Sequence, residues 1–357
     1  MIEVVIDKVH YPVASEWCEI GIGTAVALGE LLNGESEEVR AYFSPLFEAS
    51  KAAGALPESR RRELYEAERR MLALLTGAAR RGEGRGFVFG TADDASAERP
   101  VAPAGGEQGL GCRDGASVGL EEGDESDGVL SGGGSRSGEW QEMMPAAGEV
   151  PEAGAWAEAL SDERIDALFK RWLWHIPVSL LHEPMYEPVG MEWFCWRGER
   201  LRLPRTGRDL AGVRMPLESA SAEEFCAASD LLSTSGWRLA PVFAAMLCRP
   251  EGEAFSEQAV KRRAATFAEL PVSVVFELMF LLLAAHFYMR REFPACYAGR
   301  GPQRADAAGG GEEDRVVLSW SQMPLLLCGC RPDRAREVGR TGCYDFMAAL
   351  HLYMQLR

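Results

Sequence analysis

Apolar residues recur along this chain with two periods, and the shorter period marks two β-hairpins. Apolar and polar residues alternate from Ile2 to Ile6 and from Val9 to Val13, as in paired strands that bury one face. Met191 to Trp196 and Arg200 to Leu203 form a second pair of segments, joined by Arg197-Gly198. We therefore predict one hairpin at the N-terminus and another near the middle of the chain.

Helical spacing, with apolar residues three or four positions apart, dominates most of the remaining sequence. Glu58 to Arg80 carries the clearest stripe, formed by Leu64, Met71 and Leu75. The capping box Ser221-Ala-Glu-Glu224 predicts another helix start. The other predicted helices are Ala25 to Leu32, Val39 to Ala49, one that follows Ser161 and buries Ile165, Leu168, Phe169 and Trp172, Arg238 to Leu247, Ser256 to Phe267, Pro271 to Glu292, Arg315 to Leu327 and Tyr344 to Leu356.

Both periods disappear between Gly82 and Glu158, where Gly, Ala, Ser and acidic residues prevail. This stretch holds 16 acidic and 4 basic residues, a net of −12 out of −16 for the whole chain. Such a composition cannot bury enough apolar surface to offset its ordering entropy, so we predict a disordered acidic insert. Its apolar residues, such as Phe87, Val88 and Phe89, are expected to be incidental.

These patterns predict a mainly α fold with small β-hairpins (α+β), in which the disordered insert separates helical segments. With 47% hydrophobic residues, the chain as a whole is typical of globular proteins. The predicted units are an N-terminal hairpin with helices at 1–81, the insert at 82–158, a hairpin plus helical domain at 159–297, a Gly-rich linker at 298–313 and a C-terminal helical segment at 314–357.

Charge and cysteine content narrow the choice of environment and partners. A net charge of −16 disfavours nucleic acid as a partner, because phosphate binding requires a positive field. The first residues lack the basic and apolar regions of a secretory signal, so we expect a cytoplasmic protein. Nine scattered cysteines are an odd number in a large chain, which favours reduced thiols over a disulfide framework.

Motifs that could carry catalysis or bind cofactors occur only in unsuitable contexts. Gly115 to Gly119 match the nucleophile-elbow pattern of serine hydrolases but lie inside the predicted insert. The glycines at 82, 84, 86 and 90 miss the spacing of a phosphate-binding loop and follow a helix. Cys328-Gly-Cys330 lacks a second cysteine pair, although Cys343, Cys296 or His351 could complete a zinc site. We predict no catalytic residues, no cofactor and no metal.

Two alternatives remain open at the level of sequence. Residues 271–289 are apolar enough to span a membrane, yet Glu277 lies near the middle, which favours a helix buried in protein. An enzyme with an unrecognised site is the other alternative, with Glu223, Glu224 and Asp230 as the acidic residues that could serve it. Such residues are ordinarily charged side chains on the solvent-exposed face of a helix.

Several short segments of the chain carry distinctive combinations of aromatic, proline and acidic residues. They are Tyr11-Pro12 to Trp17-x-Glu19, Trp196-Arg-Gly198-Glu-x-Leu201-x-Leu203-Pro204, Pro216-Leu217, Glu224-Phe225, Phe243 through Cys248-Arg-Pro-Glu-Gly252-Glu, and Phe267-Ala-Glu-Leu-Pro271. Together these segments resemble an uncharacterised group of bacteriophage and prophage proteins encoded among tail genes. The resemblance covers roughly residues 1–80 and 160–290, and it does not extend to the insert or to the residues after 313. Its motifs are mainly structural.

Members of that group have been likened to tail-assembly chaperones. The resemblance implies a cytoplasmic assembly factor that binds an elongated phage tail structural protein and has no chemistry of its own. Binding would use apolar helix faces, for which Trp172, Trp174 and Phe276 are the candidate residues.

Overall fold

The computed structural model is mainly α with small antiparallel sheets, which confirms the predicted fold class. It describes residues 1–6, 9–44, 56–84, 87–91, 157, 160–182, 185–234, 236–298 and 319–356. The strands are β1 (Ile2–Ile6), β2 (Val9–Val13), β3 (Val88–Thr91), β4 (Met191–Trp196), β5 (Glu199–Arg202), β6 (Gly207–Arg208) and β7 (Arg214–Met215). The helices are α1 (Ile22–Gly34), α2 (Glu37–Tyr42), α3 (Glu58–Arg81), α4 (Asp162–Leu168), α5 (His175–Leu181), α6 (Ala222–Thr234), α7 (Ala240–Leu247), α8 (Glu257–Ala264), α9 (Val272–Glu292), α10 (Met323–Leu327), α11 (Pro332–Gly339) and α12 (Cys343–Gln355).

Both predicted hairpins form, and β3 extends the second one. β1 pairs antiparallel with β2, and β4 pairs antiparallel with β5 across a turn in which Arg197 and Gly198 both have positive φ. Strand β3 adds to the free edge of β4, with Phe89 opposite Phe194. The insert was therefore predicted to begin too early, because Val88 and Phe89 have a strand partner about 100 residues away in sequence. The motif at 115–119 and the rest of the insert at 92–156 lie outside the described residues.

The glycines that follow α3 have structural roles. Gly82 ends α3 in the left-handed conformation, with φ of 68°, and Gly84 also has positive φ. At Gly90 a Cβ atom would lie 2.3 Å from the Trp193 indole, which packs directly on the strand backbone. These positions require glycine for turns and for close packing, which explains them without a phosphate ligand.

The helix after Ser161 changes its winding, and this corrects its predicted buried face. Residues Phe169–Leu173 form a π-helix, which adds one residue to the turn. Ile165 and Phe169 are buried as predicted, but Trp172 is 48% exposed and Leu173 takes its place in the core. The predicted face continued a regular 3.6-residue period through a segment that does not keep it.

Two pairs of helices begin side by side and share hydrogen bonds between their first residues. Ile22 N donates to Leu270 O at 2.8 Å, and Val272 N donates to Ile20 O at 2.8 Å, so the starts of α1 and α9 are joined. The same arrangement links α6 to α12 through Ala222 N to Thr341 O and Cys343 N to Ala220 O. These bonds satisfy N–H groups that a helix start leaves unpaired, and they tie distant segments together.

One hydrophobic core joins the N-terminal, central and C-terminal segments. Its fully buried side chains include Ile22, Phe169, Phe276 and Phe346, which come from all three segments. Helix α9 supplies the central element, and every residue from Val272 to Leu278 is buried. Among the described residues, α9 is the one helix long and apolar enough to cross a membrane, yet 56% of its most apolar window is buried in the protein.

Candidate partner-binding surface

The second half of α9 exposes an apolar stripe, which we call the α9 ridge: Phe280, Leu283, Ala284 and Phe287. Leu283 is 48% exposed and Phe287 is 77% exposed. Residues spaced by three, four and seven positions share one face of a helix, so these side chains form a continuous stripe. A contiguous apolar stripe of this kind marks an interaction site more often than a scatter of single exposed side chains does.

A cavity of 440 Å³ lies along the first half of α9, and we call it the α9 groove. Val275 and Met279 form part of its wall, and the ridge residues Leu283 and Phe287 follow Met279 at four-residue intervals toward the end of the helix, outside the wall itself. The remaining wall is contributed by α1, α5, α6 and α7 with their flanks and is mainly apolar, while the polar residues in it are Asn33, Ser179 and His182. Its volume and lining match those of sites that hold an apolar side chain or a small ligand.

Trp237 forms a fixed wall of the groove. Its indole Nε1 donates to Leu180 O at 2.9 Å, and its ring packs edge-on against Phe276 with centroids 5.3 Å apart. Gly29 of α1 faces the indole so closely that a Cβ atom there would lie 3.3 Å from the ring. The groove is therefore preformed rather than dependent on a side-chain rearrangement.

The segment from Met185 to Gly190 extends the apolar surface on the other side of the ridge. Tyr186 stacks against Phe280 with ring centroids 6.3 Å apart, and its hydroxyl donates to the buried carboxylate of Glu277 at 2.8 Å. Val189 N donates to the same carboxylate at 2.5 Å. Burial and the nearby Glu277 charge raise the pKa of Tyr186. These bonds hold the exposed side chains of Met185 and Val189 next to α9.

The three candidate binding residues from the sequence have different environments. Phe276 is fully buried in the core, so its assignment to a partner-binding face was wrong. Trp174 is half-buried against Tyr42, with ring centroids 5.1 Å apart. Trp172 is exposed and lies under the Arg171 guanidinium, 4.9 Å from its ring centroid. The ridge residues Leu283 and Phe287 were missed, because α9 is apolar on every side of its first half and shows no amphipathic phase.

The acidic residues considered for an enzyme site are engaged in structural contacts. Glu224 closes the predicted capping box, accepting a hydrogen bond from Ser221 N at 2.8 Å, and it also forms a buried ion pair with Arg249. Asp230 accepts hydrogen bonds from the backbone N–H groups of Trp320 and Ser321, at 2.7 and 2.8 Å. Both carboxylates therefore hold neighbouring segments in place.

The candidate zinc ligands do not converge within the described part of the chain. Cys343 Sγ contacts Leu217 O, Cys296 Sγ contacts Met347 O, and the ring of His351 accepts from Ala295 N. The described residues contain no group of three or more His, Cys, Asp or Glu side chains that could hold a metal ion.

Cys195 on β4 is disulfide-bonded, which departs from the expectation of reduced thiols at that position.

Two of the sequence segments singled out above lie on elements that support α9. Trp17 packs edge-on against Phe276, with ring centroids 4.7 Å apart, and supports the first half of α9. Phe267-Ala-Glu-Leu-Pro271 leads directly into α9 and carries the bond from Ile22 N to Leu270 O.

In the comparisons with known proteins, no family model, no curated protein and no solved structure matches the chain.

Proposed function

We propose that the protein is a non-enzymatic binding or assembly factor of the phage or prophage type, acting as a tail-assembly chaperone. Its partner is an elongated tail structural protein, and an apolar helical segment of that partner lies against the α9 ridge and groove. The observation that carries the proposal is the exposure of Phe287 and Leu283 in line with the groove. Helix-in-groove recognition uses this combination of a preformed apolar channel and anchors at helical spacing.

The proposal also agrees with the distribution of polar groups in the described structure. Acidic side chains that could serve catalysis, such as Glu224 and Asp230, are occupied by structural bonds. The α9 groove presents apolar side chains with few polar ones around them, as protein-binding surfaces do at their centre. Binding without chemistry is the activity that such a surface supports best.

Co-purification with tail proteins expressed from the same locus tests the proposal. Phe287→Ser should weaken binding of the tape-measure protein about tenfold or more, since truncation of an aromatic anchor commonly costs about 2 kcal/mol or more. Leu352→Ser is the matched control, because it removes an exposed apolar residue of α12, outside the ridge. Failure of the wild-type protein to bind any tail protein, or equal loss in both variants, would contradict the proposal.

A second candidate function is membrane association through the same helix. Leu283 and Phe287 are exposed next to Arg290 and Arg291, a combination that also suits an anionic lipid surface. Flotation with anionic vesicles separates the two functions. Vesicle binding that disappears in Phe287→Ser, together with no binding to tail proteins, would favour the membrane role.

A further inference from the structure

A second cavity lies between the β4–β5 hairpin and α8, and its chemistry differs from that of the α9 groove. It encloses 410 Å³ and we call it the Trp196 cleft, defined by Trp196, Arg197, Glu253, Arg262, Arg263 and Phe267. One side is aromatic, whereas the other is formed by guanidinium groups. A cleft of this size holds a small organic molecule rather than a single ion.

The charge balance of the cleft is positive in a chain that is otherwise acidic. Its wall contains three arginines and two glutamates, Glu199 and Glu253. Arg263 is only 13% exposed and donates to both carboxylate oxygens of Glu253, at 2.9 and 2.7 Å. The charges of Arg263 and Glu253 therefore cancel. The other charged residues of the wall are Arg197, Arg262 and Glu199, which together carry a net positive charge.

The two outer arginines are available for a ligand. Arg197 contacts Glu269 at 2.9 Å, but both side chains are exposed, so water and salt screen this pair strongly. Arg262 is exposed and has no carboxylate partner among the described residues. Neither guanidinium must break a buried contact in order to bind an anion.

Arg249, which interacts with Arg263, adds no net charge to the cleft. It is largely buried, and its pKa is lowered by burial and by the charge of Arg263. It forms an ion pair with Glu224, so the positive charge of the cleft comes from its own arginines.

Two N–H groups of residues in the wall lack an acceptor among the described residues. Trp196 Nε1 and Arg263 Nε are both buried without a hydrogen-bond partner there. Buried N–H groups are nearly always paired in folded proteins, so these two leave unsatisfied positive dipoles in the wall. Because both atoms are buried, they act on an anion in the cleft through their dipoles and not through direct hydrogen bonds.

We propose that the Trp196 cleft binds a small organic anion that combines a flat ring with a phosphate or carboxylate group. The anionic group pairs with Arg262 and with Arg197, whose guanidinium lies over the Trp196 ring at 5.7 Å from its centroid, and the flat ring packs against Trp196. Guanidinium groups recognise phosphate and carboxylate through paired N–H donors, and an indole offers a broad apolar face to a ring. This site is separate from the α9 groove and does not depend on the proposed chaperone role.

Isothermal titration of the full chain with phenyl phosphate, inorganic phosphate and phenol tests the proposal. Phenyl phosphate should bind most tightly, and its affinity should fall as ionic strength rises. Arg262→Ala should weaken phenyl phosphate binding about tenfold, the loss expected for one charge-assisted contact. Arg334→Ala is the matched control, since Arg334 is also an exposed helical arginine and lies outside the cleft.

Trp196→Leu separates the two parts of the ligand. It should weaken binding of phenyl phosphate while leaving inorganic phosphate unchanged, because only the ring contact is removed. Circular dichroism verifies that each variant is folded. The proposal is overturned if phenyl phosphate does not bind at millimolar concentration, if Arg334→Ala weakens it as much as Arg262→Ala does, or if inorganic phosphate binds equally well.

Discussion

Glu68 is a buried carboxyl group without a hydrogen-bond partner among the described residues, and it provides the sharpest test of the packing between α3 and α4. Its side chain is 0% exposed, and neither carboxyl oxygen is hydrogen-bonded to the part of the chain that the structure describes. The nearby cations are engaged elsewhere: Lys170 pairs with Asp166 at 2.6 Å, and Arg69 pairs with Asp162. The charged groups around Glu68 are therefore already paired with one another.

The electrostatic environment keeps Glu68 protonated. Burial raises the pKa of Glu68 well above its usual value, the charge of Asp166 raises it further, and Lys170 and Arg69 oppose the shift. Asp166 is itself held by the Tyr42 hydroxyl at 2.7 Å. The neutral acid is therefore the form that fits this interface.

The sign of the pH effect follows from linkage. A carboxyl group with a raised pKa in the folded state binds more protons there than in the unfolded chain, so stability falls as pH rises. The fall begins near the unfolded pKa of about 4.5 and continues up to the folded pKa of Glu68. A buried polar group without a partner costs about 1–3 kcal/mol even when neutral.

We expect Glu68→Met to raise the free energy of unfolding by about 1–3 kcal/mol at pH 7.5, because it replaces the unpaired carboxyl with an apolar group of similar size. Glu68→Gln should flatten the pH dependence while keeping a polar group in place. Urea unfolding followed by circular dichroism at pH 5.5 and 8.5 measures both effects. Glu66→Gln, on the exposed side of the same helix, controls for the change in net charge.

A particular outcome would refute this reasoning. If wild type and Glu68→Gln lose the same stability between pH 5.5 and 8.5, the titration of Glu68 does not contribute to that loss. If Glu68→Met also destabilises the protein at pH 8.5, the carboxyl makes a favourable contact that the described geometry lacks.

Four further substitutions test the fold. Glu224→Ala should lower the free energy of unfolding by about 3–5 kcal/mol in urea titrations, because it leaves Arg249 buried without its partner and opens the capping box. Trp172→Ser should change stability by less than about 0.5 kcal/mol, whereas Leu173→Ala should cost about 2–5 kcal/mol; reversal of this order would contradict the π-helix. Gly90→Ala should lower the melting temperature, since its Cβ would overlap the facing indole, and an unchanged temperature would show that β3 does not pack as described.

Local signals predicted much of the fold correctly. The N-terminal hairpin has the predicted bounds, and the helix predicted at Glu58 to Arg80 extends from Glu58 to Arg81. The capping box at Ser221 places the start of α6 at Ala222. In each case the decisive interaction lies within a few residues of sequence, so the pattern alone contains the information.

Long-range interactions explain what the sequence pattern missed. Strand β3 forms because β4 offers a free edge, and the sequence around Val88 contains no signal for that distant partner. Helix α11 begins with Pro332 at its first turn and was not among the predicted helices. Which residues of α9 are exposed depends on which neighbouring elements cover the helix. Because α9 is apolar on all sides, its sequence does not indicate which face is exposed.

The first half of α9 is anchored in the core, whereas the second half is exposed to solvent. Exposed residues of the proposed binding surface can therefore be substituted without unfolding the protein. The first half is held by the paired start with α1 and by the bonds to Glu277. Phe287 lies ten residues beyond Glu277, almost three helical turns away, and most of its side chain is in solvent. Its replacement by serine removes little buried contact area, so stability should change by less than about 0.5 kcal/mol. A loss of partner binding at unchanged urea midpoint would assign Phe287 to recognition, whereas a lowered midpoint would place it in the core.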